Sequence, residues 1–253
     1  MGEGEAKAMT LSQYTINGFW GPRRETPEAL AAKFDRLIDR LAGIDPIFGN
    51  WIWSGRQAKS IAFATIRPNL VKRIASAVAR DDYGGPDPDL GYLFGTYNSP
   101  TTTPRSMSVA VRAGCRIKAS YYSNTARIQT GWHIEPDPAI VTYPIFKAAL
   151  LALCECFEIT FCGANPDDLT VLWPSEQKFR LSWMSYVSPR FAPLITPPKT
   201  AIVEYRPNGG LFMAATDETF ITANPQHLAV ARDIEAAVAP LNALPWPPDA
   251  EPE

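Results

Sequence analysis

Histidine and cysteine are scarce in this chain of 253 residues, which holds two of the first and four of the second. In a chain whose start does not read as a secretory signal, the four cysteines are expected to be reduced thiols. The spacing Cys154-x-Cys156, followed by Cys162, superficially suggests a metal cluster. Residues two apart on a helix point to different sides, so the pair reads as buried thiols rather than ligands. His133 and His227 have no nucleophile motif for company, and Gly-x-Ser-x-Gly is absent. Neither a Walker motif nor Gly-x-Gly-x-x-Gly occurs, so no phosphate cradle is foreseen. Neither a cofactor nor a metal is expected.

Charge of one sign is also missing. Lys and Arg number 24 against 26 Asp and Glu, a net charge of −2. A nucleic-acid binder draws its affinity from phosphate neutralisation and needs a basic excess, so direct nucleic-acid binding is not expected. The most apolar stretch, Ile145 to Cys154, is broken by Lys147 and falls short of the ~20 residues that span a bilayer. The opening MGEGEAKAMTLSQ has no basic region followed by an apolar run. The reading is a cytoplasmic protein with reduced thiols and no membrane partner.

What is present is enough to fold. Hydrophobic residues make up 46% of the chain and charged ones 20%, which argues against disorder over most of its length. Tyr14 to Trp20 reads as a strand. Thr26-Pro27 then caps a helix whose apolar stripe is Leu30, Phe34, Leu37, Ile38 and Leu41, with Gly43 at its end. A second helix is predicted from Pro68, burying Leu70, Val71, Ile74 and Val78. Leu90 to Tyr122 is β in pattern. Met107, Val109, Val111, Ala113, Cys115, Ile117, Ala119 and Tyr121 alternate with Arg112, Arg116 and Lys118, as one long strand or two meeting at Gly114.

From Pro144 to about Phe157 the chain is apolar almost all round and predicts a central buried helix. Leu169–Trp173, Arg180–Val187 and Ala201–Tyr205 read as strands, and Arg206–Gly210 as a turn into Leu211–Ala215. Asn224-Pro225 starts a last helix with Leu228, Ala231, Ile234, Val238 and Leu241 inward. The fold class is therefore α+β: largely antiparallel sheet with about four helices. It forms a single domain over 11–244, or two related lobes at 11–135 and 143–244. Residues 1–10 read as a disordered lead and 245–253 as a proline-rich acidic tail.

Three features carry functional readings. Tryptophan and tyrosine are favoured interface anchors, and Trp51, Trp53 and Trp132 fall in segments that could face a partner or brace the core. Trp183 is a further member of that group. Asp81, Asp82, Asp87 and Asp89 lie in a loop rich in glycine and proline, either plainly solvated or set to meet a cationic partner. Pro166-Asp167 with Glu176-x-Lys178 imitates the pattern by which some nucleases hold Mg²⁺ and activate water. Pro174-Ser175 places Glu176 in a turn, so chance explains it better; a metal-dependent nuclease and a non-catalytic adaptor remain the alternatives.

The chain also resembles the immunity protein 52 family. The likeness rests on Tyr14, Trp20-Gly21, Arg23 and Glu25, and on Ile44-Asp45-Pro46 with Trp51. It continues in Asn208-Gly209-Gly210-Leu211, Ala215-Thr216-Asp217-Glu218 and Asn224-Pro225-Gln226-His227. It runs from about Tyr14 to Leu241. It implies a bacterial immunity protein of polymorphic-toxin or type VI secretion systems, not an enzyme, that neutralises a cognate toxin, commonly one of restriction-endonuclease-like fold. No catalytic residues come with it.

Overall fold

The computed structural model describes residues 13–53, 60–116, 124–172 and 179–244. The proposed disordered lead, the acidic tail, Glu176 and Lys178 fall outside them.

The first strand, β1 (Tyr14–Trp20), becomes the middle of a sheet because both of its edges are claimed by later strands. Helix α1 (Pro27–Ala42) follows. Thr26 Oγ1 accepts the Ala29 N–H at its start, and the Gly43 N–H bonds the Arg40 carbonyl at its end. A 3₁₀ turn at Pro46–Phe48 leads to the short strands β2 (Ile52–Trp53) and β3 (Ile61–Ala62). The helix predicted from Pro68 is only the short α3 (Leu70–Ala75), reached through α2 (Phe63–Ile66) and a 3₁₀ turn holding Pro68. Leu70 and Ile74 are buried as expected, but Val71 is exposed. Val78 lies past the helix and bridges Tyr92 instead. Six residues give α3 only one inward row, which Leu70 and Ile74 fill at i and i+4.

Three antiparallel strands come next: β4 (Leu90–Tyr97), β5 (Met107–Cys115) and β6 (Asn124–Thr130). The alternation on β5 holds, with Met107, Val109, Val111, Ala113 and Cys115 all buried. Ile117, Lys118, Ala119 and Tyr121 lie outside the described residues. Gly114 marks a kink within one strand: Gly91 and Gly114, on the paired ends of β4 and β5, have φ of 78° and 83°. A Cβ on Gly91 would stand 2.4 Å from the Ala113 carbonyl oxygen, so only glycine allows this approach.

Helix α4 (Tyr143–Phe157) is buried along most of its length. It ends at Glu158, whose φ of 52° closes the helix in the left-handed region. Then come β7 (Phe161–Pro166), β8 (Met184–Val187), β9 (Ile202–Tyr205), β10 (Leu211–Ala214) and α5 (Pro225–Val238). The expected strand over Leu169–Trp173 is instead a 3₁₀ helix, Asp167–Leu172, with Trp173 outside the described residues. Pro166 ends β7, and the Thr170 hydroxyl bonds the Asp167 carbonyl, which turns the chain there.

The ten strands among the described residues belong to one antiparallel sheet in the order β3-β2-β4-β5-β6-β1-β7-β8-β10-β9, confirming the α+β class. One face packs on the helices. Trp20 stacks on Phe157 and Tyr14 meets Phe146 edge-on, both across the β1–α4 contact. Phe34 of α1 meets Phe94 of β4. Every residue of β7, β8 and β10 is buried, so the sheet is covered on both faces along these strands, while the edge strand β9 is largely exposed. Among the described residues the second face of β4, β5 and β6 is open, with Leu93, Ala110, Arg112 and Arg127 exposed.

The four cysteines are buried and none is in a disulfide. Burial, with a hydrogen bond to Cys162, pushes the Cys154 thiol well above the ordinary range. Burial also raises Cys156, against the pull of Arg36. Ellman's reagent is accordingly expected to label no thiol in the native protein and four in denaturant. Labelling within minutes under native conditions would contradict this packing.

Candidate functional site

The aromatic candidates separate on burial. Trp51 and Trp53 are 5% and 6% exposed. The Trp51 ring stacks on Phe48, and Trp53 stacks on Phe94, so both are core residues rather than surface anchors. Trp183 is fully buried and donates its Nε1–H to the Thr216 carbonyl. Trp132 is 64% exposed, with its ring tilted against His133 at 5.3 Å between centroids. His133 itself has a φ of 57°.

Trp132 stands just past β6, at the end of the sheet where Met107 pairs with Thr130 and Tyr14 with Pro166. A cleft of about 780 Å³ opens beside it, lined by Thr103–Arg105 and His133–Pro138. A smaller hollow of about 270 Å³ shares Thr103 and Arg105 with it. Arg105 Nη1 bonds the Asp137 carboxylate at 2.6 Å. The Ala139 N–H and then Arg105 hold that carboxyl below its usual range. The cleft thus pairs Arg105 with Asp137, and has no Ser or Cys nucleophile beside His133 among its lining residues.

Sequence reasoning missed what stands at the same end. Val171 and Leu172, in the turn after β7, and Ile221, after β10, are exposed apolar side chains. Thr222 Oγ1 bonds Asp168, tying these two segments together. Single exposed valines and isoleucines give no sequence signal, because only topology gathers them.

The acidic loop lies at the opposite end, where Leu90 pairs with Cys115. Its four aspartates do different work. Asp81 accepts the Tyr83 and Gly85 N–H groups, and Asp87 accepts that of Asp89. These two carboxylates shape the loop. Asp89 lies 3.8 Å from Arg116, while Asp82 is exposed beside Tyr83, which is 98% exposed. Between this loop and Trp132 runs the length of β4, eight residues or about 26 Å. The two candidate patches therefore lie at opposite ends of the strands and do not form a common pocket.

The other candidates are structural. His227 is buried, and its Nδ1 accepts the Ile221 N–H. Asp167 accepts a bond from the Thr15 hydroxyl, and burial raises its carboxyl despite that bond and the charge of Arg127. Among the described residues no three His, Cys, Asp or Glu side chains gather as a metal site would require. No helix among them is long and apolar enough to cross a membrane.

Comparison with known proteins adds two findings. The sequence model described as immunity protein 52 matches residues 12–243. In fold the chain is similar to the Pseudomonas aeruginosa T6SS protein PA0821. Their TM-score is 0.52 at 10% sequence identity, covering 90% of this chain and 73% of that one. No curated protein matches.

Proposed function

The chain belongs to the immunity protein 52 family, and from that premise we propose that it neutralises a secreted nuclease toxin of restriction-endonuclease-like fold. Immunity is the function that the family carries. It works as a stoichiometric binder in the cytoplasm, occluding the toxin's cleft or preventing its productive assembly. The observation that carries a binding mode is Trp132, a large exposed aromatic beside a cleft, with Val171, Leu172 and Ile221 at the same end of the sheet. Such side chains anchor interfaces because they bury much apolar area at small entropic cost. The fold likeness to a protein named for a type VI secretion system supports a delivered toxin as partner.

The acidic loop serves as a steering element toward the basic surface on which a nuclease holds phosphate. Replacing all four aspartates would also undo the turns made by Asp81 and Asp87. The cleaner test is Asp82→Asn with Asp89→Asn. Association with the toxin is expected to slow about 3- to 10-fold at low ionic strength and to converge on the unaltered rate at high salt. Equal rates at low salt would remove the steering role.

The direct test of the whole reading is co-expression with the product of the adjacent gene. Restored growth, a stable complex and suppressed DNA cleavage are expected. Growth restored without any complex would contradict neutralisation by binding.

A further inference from the structure

The ladder register shows what the open face of the sheet presents. Across β4, β5, β6 and β1, three rows of side chains point away from the helices. The first row is Leu93–Arg112–Thr125–Phe19, at the acidic-loop end. The second is Gly95–Ala110–Arg127–Asn17. The third, toward Trp132, is Tyr97–Ser108–Gln129–Thr15. Their inward neighbours Tyr92, Phe94, Val109, Val111, Ala126 and Ile128 are core, as the two-residue period of a strand requires. Leu93 is 64% exposed, and Ala110, Arg112 and Arg127 are exposed as well, whereas on β1 Asn17 and Phe19 are half-buried and Thr15 is buried.

An antiparallel sheet often leaves one face in water, but it then usually mixes charges of both signs. These rows contain two arginines and no Asp or Glu. Arg112 makes no ion pair among the described residues. Arg127 donates its Nε–H to Asn17 Oδ1 at 2.7 Å, which sets its orientation but leaves its charge without a carboxylate hydrogen bond. In a chain of net charge −2 these are two exposed guanidinium groups on a partly apolar floor, with Asp167, bonded to Thr15 at the β1 edge, drawing on the charge of Arg127. Gly95 and Ala110 keep the second row shallow, so a partner could reach the Arg127 guanidinium. The face stops at β7, where Ser182 Oγ would lie 2.6 Å from a Cβ on Gly163.

We propose that this open face of β4-β5-β6-β1 is the surface on which the toxin docks, with toxin carboxylates set against Arg112 and Arg127. The inference rests on the toxin-binding reading above and specifies its surface. The chemistry fits an enzyme that holds a divalent cation with carboxylates, because a guanidinium pairs two carboxylate oxygens in a fixed fork. Size decides that the face does not act alone. Strands about 4.8 Å apart and rows spanning roughly 20 Å give about 400 Å² of floor, against the roughly 800 Å² per partner of a stable interface. The remainder must come from the two ends, which are the Asp82 loop and the Trp132 segment.

The test uses the full chain and the toxin encoded beside it, inactivated for handling, with the dissociation constant measured by calorimetry or interferometry. Arg112→Glu is expected to weaken the complex at least 100-fold and Arg127→Ala about 10-fold. Leu93→Glu, which leaves both arginines in place, should weaken it at least 10-fold. Lys72→Glu on α3, in the helix layer, should change it less than 2-fold. Circular dichroism of each variant verifies that the fold is kept. If Arg112→Glu and Leu93→Glu both bind like the unaltered protein, the docking surface is elsewhere and immunity by binding stands. If the unaltered protein forms no complex, both readings fall.

Discussion

Phe34→Ala should destabilise the protein by about 3–5 kcal/mol, the range for removing a fully buried ring without collapse of the surrounding core. Phe34 is fully buried and lies on the inner stripe of α1. Its ring meets three others edge-on: Trp53 at 6.3 Å, Phe63 at 5.9 Å and Phe94 at 5.1 Å. One side chain thus joins α1 to β2, α2 and β4, and these elements have no shared backbone ladder with the helix to compensate. Edge-to-face pairs add roughly 0.5–1.5 kcal/mol beyond burial, so the upper half of the range is favoured. In a chain of this size the melting temperature should fall by roughly 6–20 °C. Arg24→Ala, at an exposed position before the same helix, should stay within about 0.5 kcal/mol. Denaturant titration of both variants checks the contrast. A loss below about 1 kcal/mol for Phe34→Ala would mean that this aromatic cluster does not hold α1 to the sheet.

Trp132→Ala is expected to do the reverse, leaving stability alone and costing affinity. The ring is 64% exposed and touches His133, so truncation removes little from the folded chain. In a complex, an aromatic anchor of this kind is worth about 2–4 kcal/mol, or about 30- to 1,000-fold in the dissociation constant. The melting temperature should shift by less than about 2 °C, since surface changes rarely exceed 0.5 kcal/mol. Binding titration and thermal unfolding on the same sample separate the two effects. Unchanged affinity would move the contact away from the Trp132 end.

These predictions divide as the sequence signals do. Elements with local chemistry were legible: Thr26-Pro27 and Asn224-Pro225 each cap a helix, and the side chains of Thr26 and Asn224 accept the backbone N–H groups their spacing implies. The buried row of β5 was legible because it alternates without a break over Met107–Cys115. Strand β7 was not. Phe161–Pro166 reads Phe-Cys-Gly-Ala-Asn-Pro, with four residues that strands disfavour. It is a strand because β1 and β8 flank it, and Gly163 fits because Ser182 crosses closely over it. Strand β6 is short of apolar residues because one of its faces looks into water.

The candidate site was legible in part. Trp132 and the acidic loop are exposed, but Trp51 and Trp53 turned inward, since tryptophan suits a core as readily as an interface. The open arginine-bearing face has no local signature, because Arg112 and Arg127 become neighbours only through the β5–β6 register. The long loops on either side look equally polar in sequence. Only the sheet order shows that they sit about 26 Å apart.

Protection is expected to come from occupancy of the toxin and not from any chemistry performed on it. Titrating a fixed, micromolar amount of active toxin with this protein, with substrate cleavage as the readout, measures that directly. Activity should fall in a straight line and reach zero at one equivalent, and the released toxin should recover full activity after denaturation and separation. Complete loss at a small fraction of an equivalent, or toxin left inactive after separation, would show a catalytic mode of protection and contradict the account.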